Sequence, residues 1–281
     1  MILVADSGST KAEWVAAGNE TADGSLFTSG ISPIYLGEEE IVKLLEKELG
    51  SLAGKNFERV YFYGTGCNST VNEDIVKRAL HRFLNSENIF VGSDVLAAAH
   101  SLCGDKPGIA CILGTGSNSC YYDGKRIVSN VSPLGYILGD EGSAAVIGKR
   151  LISDILKRQL PAQVIDLFFE TYKTSTAEII ENVYKKPFPS RYLGQFTRFI
   201  SANIELPALQ ELINSSFDDF IKRNVLLYPE AQNVPIHFTG GIAFHFSEFL
   251  IKRVKKAGLT PGVISLSPMA NLIKYHTNNP H

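Results

Sequence analysis

The 281-residue chain has only four cysteines, two methionines and one tryptophan, and its 27 basic residues do not outnumber its 29 acidic ones. Cys67, Cys103, Cys111 and Cys120 contain no C-x-x-C pair. Neither a zinc ligand set nor a disulfide framework is signalled, and buried, reduced thiols are expected. A formal net charge of -2 offers no positive excess to neutralise a nucleic-acid backbone or to hold an anionic lipid surface, so neither is expected as a partner. No apolar run reaches the roughly 18 residues that span a bilayer, and the short run after Met1 has neither a basic leader nor a cleavage signal. A cytoplasmic location is expected. The histidines form no H-x-x-x-H or H-E-x-x-H pattern, and no G-x-x-x-x-G-K-[ST] loop occurs, so a histidine metal site and a Walker-type ATPase are unsupported.

What is present is alternation and repetition. Residues 2–5, 13–17 and 25–29 read as three short strands with turns at Ser7-Gly8-Ser9 and Gly18-Asn19. A helix over Glu38–Leu49, the strand VYFYGTG, a helix over Asn72–Leu84, the strand NIFVGSD and the helix DVLAAAHSL follow. Gly104 to Gly108 reads as a linker. The program then restarts with GIACILGTG, NSCYYDG and RIVSNVS, followed by a helix over Gly142–Arg158 and a helical insert over Ala162–Leu227. It closes with the strand PIHFTGG, a helix over Ala243–Ala257, the strand GVISLS and a helix over Pro268–Tyr275. LVADSGST pairs with CILGTGSN, YFYGTGCN with IHFTGGIA, and IFVGSDVLAAAH with VISLSPMANLIK, an internal repeat with a period near 110 residues.

The duplication predicts an α/β protein of two similar lobes facing a cleft: residues 1–105, and residues 106–281 with an insert at about 160–230 and a last helix returning to the first lobe. Each lobe's first hairpin would present backbone N–H groups and hydroxyls to one polyphosphate, glycines allowing close approach. Lobe closure would exclude water from the transferred group.

The segments DSGSTK, SDVLAAAH, ILGTGSNS, GDEGSA and FTGGIA, in this order, resemble the BadF/BadG/BcrA/BcrD-type ATPase family and, within it, the N-acetylglucosamine kinases of the actin, hexokinase and Hsp70 superfamily. The resemblance covers residues 6–145 and 237–275. It implies two ribonuclease-H-like lobes of the actin-like ATPase kind and ATP-dependent phosphorylation of N-acetylglucosamine or a related amino sugar at its 6-hydroxyl. It further implies that Asp6 holds Mg²⁺ through water and that Ser7, Gly8, Ser9, Thr10 and Lys11 form the first phosphate turn. Asp94 would be the general base. Gly114, Thr115 and Gly116 would face ATP, Ser117, Asn118 and Asp140 the sugar, and Glu141 would support the loop or the metal shell. Gly240, Gly241 and Ala243 would receive the adenosine.

Each residue also has a plainer reading. Asp6 and Asn118 suit turns, Lys11 a solvated surface, Asp94 a helix N-cap, and Asp140 and Glu141 the positive end of a helix dipole. The chain carries Pro133-Leu134-Gly135-Tyr136 where N-acetylglucosamine kinases often have Gly-Trp, and Gly30-Ile31-Ser32-Pro33 where a sugar-binding Asn is common. Glucosamine or another hexose therefore stays open as substrate. Two other readings also stay open: an ATPase activator of a 2-hydroxyacyl-CoA dehydratase or benzoyl-CoA reductase, which needs an iron-sulfur cluster held by a cysteine loop, and a sugar- or nucleotide-binding regulator without turnover. ROK-type kinases carry a cysteine-rich zinc motif that this chain lacks. A homodimer stays open.

Overall fold

The computed structural model describes residues 1–8, 10–18 and 24–278. Ser9, expected in the first phosphate turn, and Asn19, expected in the next turn, lie outside them. The chain divides into two compact units: Met1–Gly104 together with the stretch from Ser267 onward, and Asp105–Leu266.

The first unit contains β1 (Ile2–Ser7), β2 (Lys11–Ala17), β3 (Leu26–Ser29), α1 (Glu38–Glu48), β4 (Arg59–Gly64), α2 (Thr70–Phe83), β5 (Ile89–Ser93) and α3 (Asp94–Cys103). The second contains β6 (Pro107–Leu113), β7 (Ser117–Asp123), β8 (Ile127–Val131), α4 (Gly135–Leu138) and α5 (Ala144–Leu156). Its insert is α6 (Ala162–Tyr172), α7 (Thr176–Tyr184), α8 (Pro189–Gly194), α9 (Thr197–Ala202) and α10 (Pro207–Arg223), followed by β9 (Ile236–Thr239), α11 (Gly241–His245), α12 (Ser247–Lys256) and β10 (Pro261–Ser265). The last helix, α13 (Met269–Asn278), belongs to the first unit.

The sheet orders are β3-β2-β1-β4-β5 and β10-β9-β6-β7-β8. Read from β8, the second repeats the first strand for strand, with antiparallel β1/β2 and β6/β7 hairpins and parallel β1/β4 and β6/β9 pairs. This is the ribonuclease-H-like duplication of the actin-like ATPase fold. The later pairs stand further apart in sequence than the first because the insert intervenes.

Pleating sorts the side chains of β1 to two cores. Leu3 and Ala5 join a cluster with Trp14, Phe62, Leu45 and Leu80, while Val4 joins Val15, Tyr61, Tyr63, Ala97, Met269 and Leu272 on the opposite face. That second face is covered by α13. Tyr63 Oη lies 2.8 Å from both His100 Nδ1 and His276 Nε2, and the His276 ring stacks on Tyr61 with centroids 3.6 Å apart. A hydroxyl between two imidazoles satisfies polar atoms that burial would otherwise leave costly, and burial pushes the pKa of His100 down to about 4.

The structure differs from the expected elements in three places. The helix expected over Ala243–Ala257 breaks at Phe246 into α11 and α12. Pro107, assigned to a linker, opens β6, an allowed use of proline at the first residue of a strand. The turn α4 was not expected; it begins after Leu134, whose φ of 62° makes a left-handed entry.

Candidate active site

Strands β1, β4 and β5 run parallel, with Ser7 opposite Gly64 and Gly64 opposite Ser93. Their carboxyl ends therefore bring Asp6, Thr65 and Asp94 to one edge of the sheet, where open α/β sheets bind ligands. Asp94 is the first residue of α3, but the cap belongs to Ser93, whose side chain accepts from Leu96 N–H. The plainer reading of Asp94 as the N-cap is thus filled by its neighbour. Its two oxygens are held separately: Val95 N–H donates to Oδ1 at 2.8 Å and the Thr65 hydroxyl donates to Oδ2 at 2.8 Å.

Burial raises the pKa of Asp94, while the bonds from Thr65 and Val95 pull it back. Asp6 is pushed up to about 7, first by burial and then by the charges of Asp94 and Glu13. Burial is the main cause in both, and the charge of Asp94 adds to the rise at Asp6, so the two carboxylates lie close enough to feel each other. A hard divalent ion held by Asp6 and by phosphate oxygens fits that donor set. Among the described residues no group of three or more His, Cys, Asp or Glu could hold a metal.

The rest of the first turn is committed differently from expectation. Ser7 is fully buried; its hydroxyl accepts Ile31 N–H at 2.8 Å and reaches Ile31 O at 3.1 Å, and its carbonyl accepts Thr65 N–H. The hydroxyl serves the backbone after β3. Lys11 Nζ sits 3.5 Å from the Phe27 ring centroid, a cation-π contact made favourable by the ring quadrupole. Gly8 closes the hairpin through its N–H to Lys11 O, and Thr10 is exposed.

In the second unit, Gly114, Thr115 and Gly116 form the turn between β6 and β7, closed by Gly114 N–H to Gly116 O at 2.9 Å. Ala144 N–H and Ala145 N–H donate to Gly114 O and Thr115 O, fixing the turn over the start of α5. Gly240 has φ 112°, and a Cβ there would meet Leu113 O at 2.5 Å; only glycine fits where the end of β9 crosses the end of β6. A Cβ on Gly116 would lie 2.9 Å from Asp140 Oδ2, so that carboxylate rests on the turn. Asp140 has φ 54° and accepts from Ser117 and Gly135 N–H, while burial pushes its pKa up to about 6.

The remaining predicted residues divide. Ser117 is buried beside the turn. Asn118 Oδ1 is taken by Ser119 N–H and Asn130 Nδ2, each at 2.9 Å. Glu141 bonds Arg223 and Asn224, tying its loop to the end of α10. Gly241 opens α11. Ala243, expected to line a base pocket, is fully buried in the second unit's core.

Two features were missed. Thr65 stands 29 positions before Asp94, and only the β4/β5 register joins them. The other is a cavity of about 540 Å³ that includes Thr115 and is lined from the insert by Asn182, Arg191, Tyr192, Gln195 and Arg198. Its floor follows from close packing: Gly148 has no room for a Cβ, which would meet Leu193 O at 1.9 Å, so α8 lies directly on α5. The run SRYLGQFTR lies within the expected helical insert, and no pattern there signalled a cavity.

All four cysteines are buried, and burial pushes the Cys67 and Cys103 thiols up to about 12. No helix among the described residues is long and apolar enough to cross a membrane.

No protein-family model matches the sequence, and no curated protein matches it significantly. Among solved structures, the chain is similar to a candidate N-acetylglucosamine kinase from Porphyromonas gingivalis, at 46% identity and TM-score 0.94, with 100% of each chain covered. It is also similar to a candidate N-acetylglucosamine kinase from Chromobacterium violaceum, at 15% identity and TM-score 0.72 over 98% of each chain. A ROK family glucokinase from Streptomyces griseus, solved with glucose and AMPPNP, is similar at 14% identity and TM-score 0.56 over 99% of each chain. These last two likenesses establish the fold.

Proposed function

Because the chain belongs to the N-acetylglucosamine-kinase-like group of BadF/BadG/BcrA/BcrD-type ATPases, within the actin-like ATPase fold, we propose that it phosphorylates an amino sugar. The donor is ATP with Mg²⁺, and the acceptor is the 6-hydroxyl of N-acetylglucosamine or a close relative. The observation that carries this reading is Asp94: a half-buried carboxylate at the carboxyl end of β5, where α3 begins, with Val95 N–H on one oxygen and the Thr65 hydroxyl on the other, and in no ion pair among the described residues.

Phosphoryl transfer depends mainly on alignment and charge neutralisation. Asp94 orients the acceptor hydroxyl and takes its proton as the new oxygen-phosphorus bond forms and the bond to the leaving ADP breaks. Mg²⁺ bound with the nucleotide supplies positive charge to the phosphate oxygens, and Asp6 would hold it through water. The backbone of the Gly114–Gly116 turn donates to phosphate oxygens. The cavity beside Thr115 is of ligand size, and its Arg191 and Arg198 suit a nucleotide that extends from that turn into the insert. Asp140 accepts from sugar hydroxyls, with Ser117 and the amide nitrogen of Asn118 beside it. The glucokinase from Streptomyces griseus, named with glucose and AMPPNP, supports this pairing of sugar and nucleotide. The activator reading gains nothing from the cysteines, each of which is buried.

The test is ADP release with Mg-ATP and N-acetylglucosamine, glucosamine or glucose. Sugar-stimulated release is expected, and Asp94→Asn should lower kcat by about 10²- to 10⁴-fold, the range for loss of a general base. Release that no sugar stimulates, or an Asp94→Asn variant as active as the parent, would remove the proposal.

A further inference from the structure

Resting on the kinase reading, we propose that Thr65 is the positioning residue for Asp94, fixing the plane of its carboxylate toward the acceptor hydroxyl. Val95 N–H, which engages Oδ1, and the backbone N–H of Asp94 itself both come from the carboxylate's own helix; they hold it to α3 and give it no reference in the sheet. The Thr65 hydroxyl approaches from a different strand and engages the other oxygen at 2.8 Å. Donors from two elements on the two oxygens define the plane of the carboxylate.

Thr65 is itself anchored independently of its hydroxyl. Its backbone N–H donates to Ser7 O at 3.0 Å, continuing the β1/β4 ladder past Gly64. The hydroxyl is therefore not needed to hold the strand end. It also stays compatible with both states of the base, because a hydroxyl can donate to the carboxylate before proton transfer and accept from the carboxylic acid afterwards, whereas Val95 N–H can only donate. In that step the acceptor O–H bond breaks, its proton passes to Asp94, its oxygen bonds the γ-phosphorus, and the bond from that phosphorus to the bridging oxygen of ADP breaks.

The experiment compares Thr65→Val, Thr65→Ser and Asp94→Asn by ADP release with Mg-ATP and N-acetylglucosamine, glucosamine or glucose. Thr65→Val keeps the shape and the backbone bond but loses the donor; kcat should fall about 10- to 100-fold, the scale of a small misalignment of a reacting group, with the sugar KM within about twofold. Thr65→Ser keeps the donor and should recover to within about threefold of the parent. Equal kcat in Thr65→Val and parent, or equal losses in the Val and Ser variants, would overturn this inference while an inactive Asp94→Asn leaves the kinase reading in place. An active Asp94→Asn, or a parent chain that turns over none of the three sugars, would overturn both.

Discussion

The turn after β1 and the turn after β6 hold the same place in two sheets of one strand order, yet they are built on opposite principles. The second is fixed from below and from the side. Two α5 amides bind its carbonyls, Gly240 crosses it with no room for a Cβ, and Asp140 leans on Gly116. The described residues of the first are held at its flanks, by Ser7 on Ile31 and Lys11 on Phe27, and among the described residues a Cβ on Gly8 would meet Lys11 O at an ordinary 3.7 Å. Duplication preserved the topology while the supporting contacts diverged. Donors locked in place before a charged ligand arrives need no reorganisation, and the second turn is preorganised in that sense.

The sharpest way to break this comparison is to add the same methyl group to both sides. Gly240→Ala should destabilise the protein by about 3 kcal/mol, since it combines backbone overlap with a left-handed strain. Gly8→Ala should stay within about 0.5 kcal/mol of the parent. Urea unfolding checks both, and similar values would show the two turns to be equally constrained. Of intermediate size is Ser7→Ala, which leaves the buried Ile31 N–H without its acceptor and should cost about 1–3 kcal/mol. A loss of nucleotide affinity with unchanged stability would instead return that hydroxyl to the phosphates.

The smallest effect concerns Asp140. Its pKa of about 6 in the fold exceeds its ordinary 3.8, so the protonated form is favoured on folding. The associated stability is full below about pH 4 and is lost as pH rises through about 6. Asp140→Asn should therefore gain thermal stability relative to the parent between pH 4 and pH 8. A difference in Tm that does not change with pH would show that burial does not penalise this carboxylate.

Much of this was readable from the chain because it lies in local pattern. Alternation marked β1, β2 and β4, helical spacing marked α1 and α2, and the glycine turns marked the repeat. Asp6 and Asp94 stand where strands end and Asp140 just before a helix, and such boundaries can be read one segment at a time. What escaped depended on register and packing. Thr65 becomes a partner of Asp94 only once β4 lies beside β5. Ser7 looked like a phosphate ligand because nothing local showed that Ile31, beyond β3, would take its hydroxyl. Ala243 was assigned by its place in a motif, and the side of α11 it faces is set by the core. Arg191 and Arg198 resemble any solvated helix charge until α8 is laid on α5.

The placement of α13 in the first unit has a consequence for synthesis. As the chain leaves the ribosome, the strands of the first sheet emerge early, but Met269 and Leu272, which cover its Val4, Tyr61 and Tyr63 face, arrive only after the whole second unit has been translated. A nascent first unit must wait with an oily surface uncovered, so a chain halted before residue 269 would be a ready client for chaperones.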